Sequence, residues 1–226
     1  MFKEGFREKG VDRDYKVAYV HSSVSSPEIW STLIKDNFPE FNTSITNAAL
    51  IIEFFREGRD FILDKMNRLG VVIEAPHIGI SNHSTTRMGA ISELNIIFIQ
   101  DKFLQDLANL DISYLTERDA GNGSVLFSGY LPDLVRLGGV EETHHSVFYQ
   151  LSSRSVASYD QATMTTEVYD AQESEFRALR WQLRYAQYKK MPRRTIDVLR
   201  NRIVAARKVR SNGSLQPDLV GSLPTS

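Results

Sequence analysis

No cysteine occurs anywhere in the chain, so disulfides, thiolate metal sites and cysteine nucleophiles are excluded together. Neither sign of charge dominates. The 27 lysines and arginines face 28 aspartates and glutamates, a net charge of -1, so attraction to a polyanion has to come from a local cluster. No apolar run approaches the roughly 20 residues a membrane-spanning helix needs. The charged stretch 1–9 also lacks the apolar centre of a secretory leader. No nucleophile elbow, phosphate-binding loop or dinucleotide fingerprint is present. These absences leave the expectation of a folded, cytoplasmic protein without a membrane segment. Its 226 residues, 42% hydrophobic and 24% charged, are enough for one sizeable core.

Local patterns predict a mainly α fold with a minor β part (α+β): a helical bundle-like core, a short N-terminal strand, a central β-hairpin and a C-terminal αα-hairpin. Residues 1–14 alternate charge without a period and are expected as a flexible arm. The β-branched and aromatic run 17–21 reads as a strand. Ser26 followed by Pro27 opens a helix, and Thr43 or Ser44 caps a longer one that ends near Leu69, with Gly70 just beyond. After the short β-branched stretch 71–73, Pro76, Gly79 and Asn82 argue for irregular chain. Apolar residues at steps of three and four over 88–110 predict a buried helix, and the glycine-rich turn 119–123 predicts a hairpin over 112–131. A helix from Pro132 to Leu151 then carries Gly138 and Gly139, which weaken it and also let another backbone or a ligand come close. A serine-rich break at 152–158 precedes helices over 163–190 and 195–210, separated by Pro192. The division is thus an arm 1–14, a core domain 15–158, a helical hairpin 159–210 and a polar tail 211–226.

The densest chemistry is the run Glu141, Glu142, Thr143, His144, His145. On a helix, residues three and four apart share a face, so each acid has a histidine within reach. Imidazole nitrogen and carboxylate oxygen together suit iron, manganese or zinc, and a chain without cysteine has only such ligands to offer. The Glu-x-x-His step resembles the half-site of ferritin-like di-iron and di-manganese bundles, in which other helices contribute further carboxylates. That resemblance implies Glu53 or Glu57 as partner carboxylates and Glu74 with His77 as a second half-site. The chain departs from it at Pro76, inside the second motif, and at the hairpin between the two motifs. The His-Glu-x-x-His order of zinc proteases is absent, because both acids precede adjacent histidines. The expected function is transition-metal binding at a Glu/His site, with metal-dependent oxidation as the associated activity. A histidine on an apolar stripe also serves as core filling beside a carboxylate, and that reading of His144 stands alongside.

Two other features carry less chemistry. The stretch 118–123 fits an Arg-x-x-Gly-x-Gly acetyl-CoA outline, but aspartate, asparagine and glycine are equally the residues of a hairpin turn. The C-terminal hairpin concentrates basic residues around a stripe of Ile196, Leu199, Ile203 and Ala206. It supports the alternative of a non-catalytic assembly component that meets a protein partner or a second copy through residues 163–210. Nucleic acid is less favoured, since no aromatic residue interrupts the basic run from Arg193 to Arg210.

Overall fold

The computed structural model describes residues 2–7, 14–23, 26–83, 86–110, 131–157 and 171–211. The expected hairpin over 112–131, the stretch 118–123 and the polar tail beyond Ser211 lie outside these residues.

Ser26 stands in extended backbone at the head of α1 (Pro27–Asn37), where its hydroxyl accepts the Ile29 N–H and Pro27 occupies the first turn. Ser44 caps α2 (Ile45–Arg68) through the Asn47 N–H. The chain leaves that helix at Gly70 with φ 70°, a conformation that favours a residue without Cβ.

Among the described residues five strands form one sheet: β1 (Phe2–Arg7), β2 (Asp14–Val20), β3 (His77–Ser81), β4 (Met88–Ile91) and β5 (Ile96–Gln100), in the order β1-β2-β3-β5-β4. Strands β3 and β5 are parallel and every other neighbouring pair is antiparallel. A 3-10 turn at Ser92–Leu94 joins β4 to β5, and α3 (Asp101–Asn109) follows β5 directly.

The sheet corrects three expectations. The arm over 1–14 contains β1, which is held by backbone pairing to β2 and so needs no side-chain period. The irregular stretch after Pro76 contains β3, whose Gly79 lets the Val17 side chain and the Ala18 carbonyl of β2 come close. The buried helix over 88–110 is instead β4, the turn, β5 and α3. Ile96–Gln100 is buried at all five positions, and a strand buried on both faces is a solid apolar run that periodicity does not distinguish from a buried helix.

Helix α4 (Leu131–Ala157) runs past the expected serine-rich break, and α5 (Ala171–Tyr188) and α6 (Arg193–Ser211) form the C-terminal hairpin. Among the described residues the molecule is mainly helical with a small sheet. No helix among them is long and apolar enough to cross a membrane.

The core has two principal parts that share α2 and α4. One, including Trp30, Phe55, Ile80 and Ile97, packs the sheet against α1, α3 and the first halves of α2 and α4. The other, including Ile62, Val140, Leu179 and Leu199, lies among α2, α4, α5 and α6. The stripe Ile196, Leu199, Ile203 and Ala206 is therefore turned inward, and Leu199 is fully buried.

Helices α2 and α4 cross at glycine on both sides. A methyl group at Gly58 would strike the Arg136 carbonyl, and one at Gly139 would strike the Phe55 carbonyl. Of the backbone or ligand that the Gly138–Gly139 pair could let approach, it is the backbone of α2 that comes close at Gly139.

Candidate metal centre

Helix α4 delivers Glu141 and His145 to the same face, one turn apart, and α5 packs against that face. Glu175 of α5 completes a group in which one ligand atom from each of Glu141, His145 and Glu175 lies within 4.8 Å of the other two. Among the described residues this is the group of histidines and carboxylates whose spacing suits a metal ion.

The neighbours orient these side chains. His145 Nδ1 lies 2.7 Å from Ser174 Oγ, while Nε2 lies 3.5 Å from Glu175 Oε2. With Nδ1–H donating to the serine, the Nε2 lone pair is turned toward the carboxylates, the tautomer that ligation requires. Gln182 Nε2 donates to Glu141 Oε2 at 2.7 Å and to the Leu137 carbonyl at 3.1 Å, which fixes the Glu141 carboxyl. Glu175 Oε1 is buried and accepts no hydrogen bond among the described residues, and Arg202 Nη2 of α6 lies 3.6 Å from it.

Burial and mutual charge set the protonation of the cluster. Desolvation lifts both Glu141 and Glu142 above the usual carboxylate range, Glu142 to about 8, because an apolar helix interface disfavours charge. At His145 the same desolvation acts downward. It is outweighed by the Glu175 hydrogen bond and the Glu142, Glu141 and Glu175 charges, which hold the imidazole up at about 9. Without a metal, a proton therefore sits where a cation would sit.

Of the residues expected from sequence, Glu141 and His145 meet in this group and the others do not. Glu142 contributes charge to the cluster but no ligand atom to the group. His144 is buried and stacked on Phe148, with ring centroids 6.0 Å apart, and its Nδ1 has no partner among the described residues. Desolvation, helped by the His145 and Arg177 charges, lowers its pKa to about 3, so it is a neutral core histidine.

On α2, Glu53 accepts the Trp30 Nε1–H at 2.7 Å and pairs with Arg56, while Glu57 accepts Arg136 Nε at 2.6 Å. Both carboxylates are committed to cations or donors of the α2 environment. Glu74 is exposed, and its backbone N–H and C=O bond to the Gln150 amide. His77 begins β3, where Nδ1 accepts the Ser22 N–H at 3.1 Å and the ring stacks on Tyr19 at 5.4 Å. The proline before it keeps Glu74 and His77 off any helix, so the second half-site does not form.

Sequence reasoning missed Glu175, with Ser174, Gln182 and Arg202 around it. Its signal was faint: an acid in a strongly basic hairpin, with a glutamine seven residues on and hence on the same helical face.

No protein-family model, curated protein or solved structure matches this chain.

Proposed function

We propose that the chain is a metal-binding protein that holds one divalent transition-metal ion between α4 and α5 through Glu141, His145 and Glu175. The observation that carries the reading is the convergence of one imidazole nitrogen and two carboxylate oxygens within 4.8 Å of one another. The orientation of His145 by Ser174, of Glu141 by Gln182, and the buried Oε1 of Glu175, which accepts no hydrogen bond among the described residues, support it.

One nitrogen and two oxygens form a ligand set suited to manganese, iron(II) or zinc. Three protein ligands leave positions for water or substrate, as in catalytic rather than closed structural sites. Bound iron or manganese supplies redox chemistry, whereas zinc supplies a polarised water. Residues of the chain itself would hold the carboxylates in place through Gln182 and Arg202, and the proton leaving His145 would pass to solvent.

Elemental analysis after dialysis against Mn²⁺, Fe²⁺ or Zn²⁺ tests this. About one equivalent of one metal is expected, lost in Glu175→Gln and His145→Ala and kept in His144→Ala. Metal-free wild type, or a Glu141→Gln/Glu175→Gln double variant that keeps its metal, overturns the reading.

A further inference from the structure

We propose that the turn end of the C-terminal hairpin, where it meets the last turns of α2, is a binding surface for single-stranded nucleic acid. The inference does not rest on the metal site, which lies at the middle of α4 and near the start of α5.

Charge is strongly segregated along this chain. Residues 171–211 carry twelve lysines and arginines against three acids, although the whole chain is balanced at -1. Around the turn of the hairpin this basic excess is at the surface: Arg184, Lys189, Lys190 and Arg193 are all exposed. The tertiary fold then adds what the basic run lacks in sequence. Phe61 of α2 packs edge-on to Trp181 and Tyr185 of α5, with centroids 6.4 and 4.8 Å away, and lies 5.5 Å from Tyr188.

Tyr188 is the outermost ring of this cluster and is 65% exposed. Two ammonium groups stand within stacking range of it, Lys65 Nζ at 5.6 Å and Lys189 Nζ at 6.0 Å, and the Arg184 guanidinium lies 4.7 Å over Trp181. Among the described residues these cations face rings rather than carboxylates. The nearby acids are engaged: Asp64 pairs with Arg68, and Asp197 with Arg193 and Arg200. The turn itself is fixed, since Met191 is buried beneath it and Lys190 holds φ 53°.

An exposed aromatic ring flanked by unpaired cations offers a base a stacking face and the adjoining phosphates a charge partner. An acidic polypeptide would use the charge and leave the ring idle. A duplex, with its bases already stacked, would do the same. Nucleic acid with free bases is the occupant that uses both.

The test is fluorescence anisotropy of labelled oligo-dT and oligo-U with the full chain, with Trp181 emission as a second readout, because Trp30 is buried. Binding should weaken as salt rises, and Trp181 emission should be quenched. Tyr188→Ala should weaken binding about tenfold and Tyr188→Phe should retain it, because the stacking face remains. Lys65→Glu should weaken it further. The position is exposed enough for either change at Tyr188 to leave the far-UV spectrum unaltered. Absence of binding overturns the proposal. So does equal binding by Tyr188→Ala, or displacement by polyglutamate or duplex as effective as by single strands, each of which would mark the surface as a plain electrostatic contact.

Discussion

His145 on α4 and Glu175 on α5 face each other across the helix pair, with Nε2 3.5 Å from Oε2 and the other imidazole nitrogen held by Ser174. The contact lies at the α4–α5 interface, where the Glu175 hydrogen bond and the Glu142, Glu141 and Glu175 charges outweigh desolvation and hold a proton on the imidazole, its pKa up at about 9. A metal ion entering there competes with that proton, and the consequence is measurable.

Metal affinity should climb steeply with pH. With the His145 imidazole held at about 9, each ion bound between pH 6 and 8 displaces one proton from it. The apparent affinity should therefore rise about tenfold per pH unit, and more where Glu141 also gives up a proton. Competition titrations against a chromophoric chelator at three pH values check this, and a flat profile would remove His145 from the ligand set.

His144 should make the metal-free protein acid-sensitive. Its folded-state pKa is lowered to about 3 from an ordinary 6.5, so its contribution to stability is complete above pH 6.5 and lost as pH falls toward 3. Across that window the loss is roughly 1.4 kcal/mol per pH unit. The raised groups act in the opposite sense: the contribution of His145 is complete below its unfolded value and lost as pH rises toward 9. Urea melts of His144→Phe at pH 4.5 and 7.5 should show a smaller difference than the parent chain. An equal difference would place the acid sensitivity elsewhere.

Gly139→Ala should destabilise the protein, although alanine is the better helix former by about 1 kcal/mol. The added methyl would meet the Phe55 carbonyl, so α2 and α4 would have to separate. Overpacking of this kind costs about 1–3 kcal/mol. The sign is the readout: a raised urea midpoint would mean that the two helices do not cross at this distance.

Leu199→Ala should lower stability by about 2–5 kcal/mol, while Val204→Ala one turn on should change it by less than about 0.5 kcal/mol. Leu199 is fully buried against α5 and its neighbours, whereas Val204 is 53% exposed. Were Leu199→Ala to leave stability intact and disturb only self-association, the stripe would belong to an interface between chains.

Local chemistry was legible in the sequence wherever it is settled within a few residues. Ser26 with Pro27, Ser44, and Gly70 mark helix ends because the capping hydroxyl, the missing amide and the positive φ act on adjacent backbone. That Glu141 and His145 share a face follows equally from helical spacing alone. The apolar stripe of α6 was also readable, but not its destination, since a stripe specifies that it will be covered and leaves open by what.

What the tertiary structure decided are the matters that depend on residues far apart in the chain. Ile96–Gln100 became a central strand because β3 and β4 lay on either side to satisfy its backbone, not because of any period of its own. Glu175 became the third member of the candidate centre, and Glu53, Glu57, Glu74 and His77 were excluded, by which helices pack together. Lys65 came to stand over Tyr188 in the same way. Spacing along one helix determines which side chains share a face. Which face another element covers is set by the packing of the whole core, where apolar area and backbone hydrogen bonds are satisfied together, and that is a property of the assembled chain rather than of any segment.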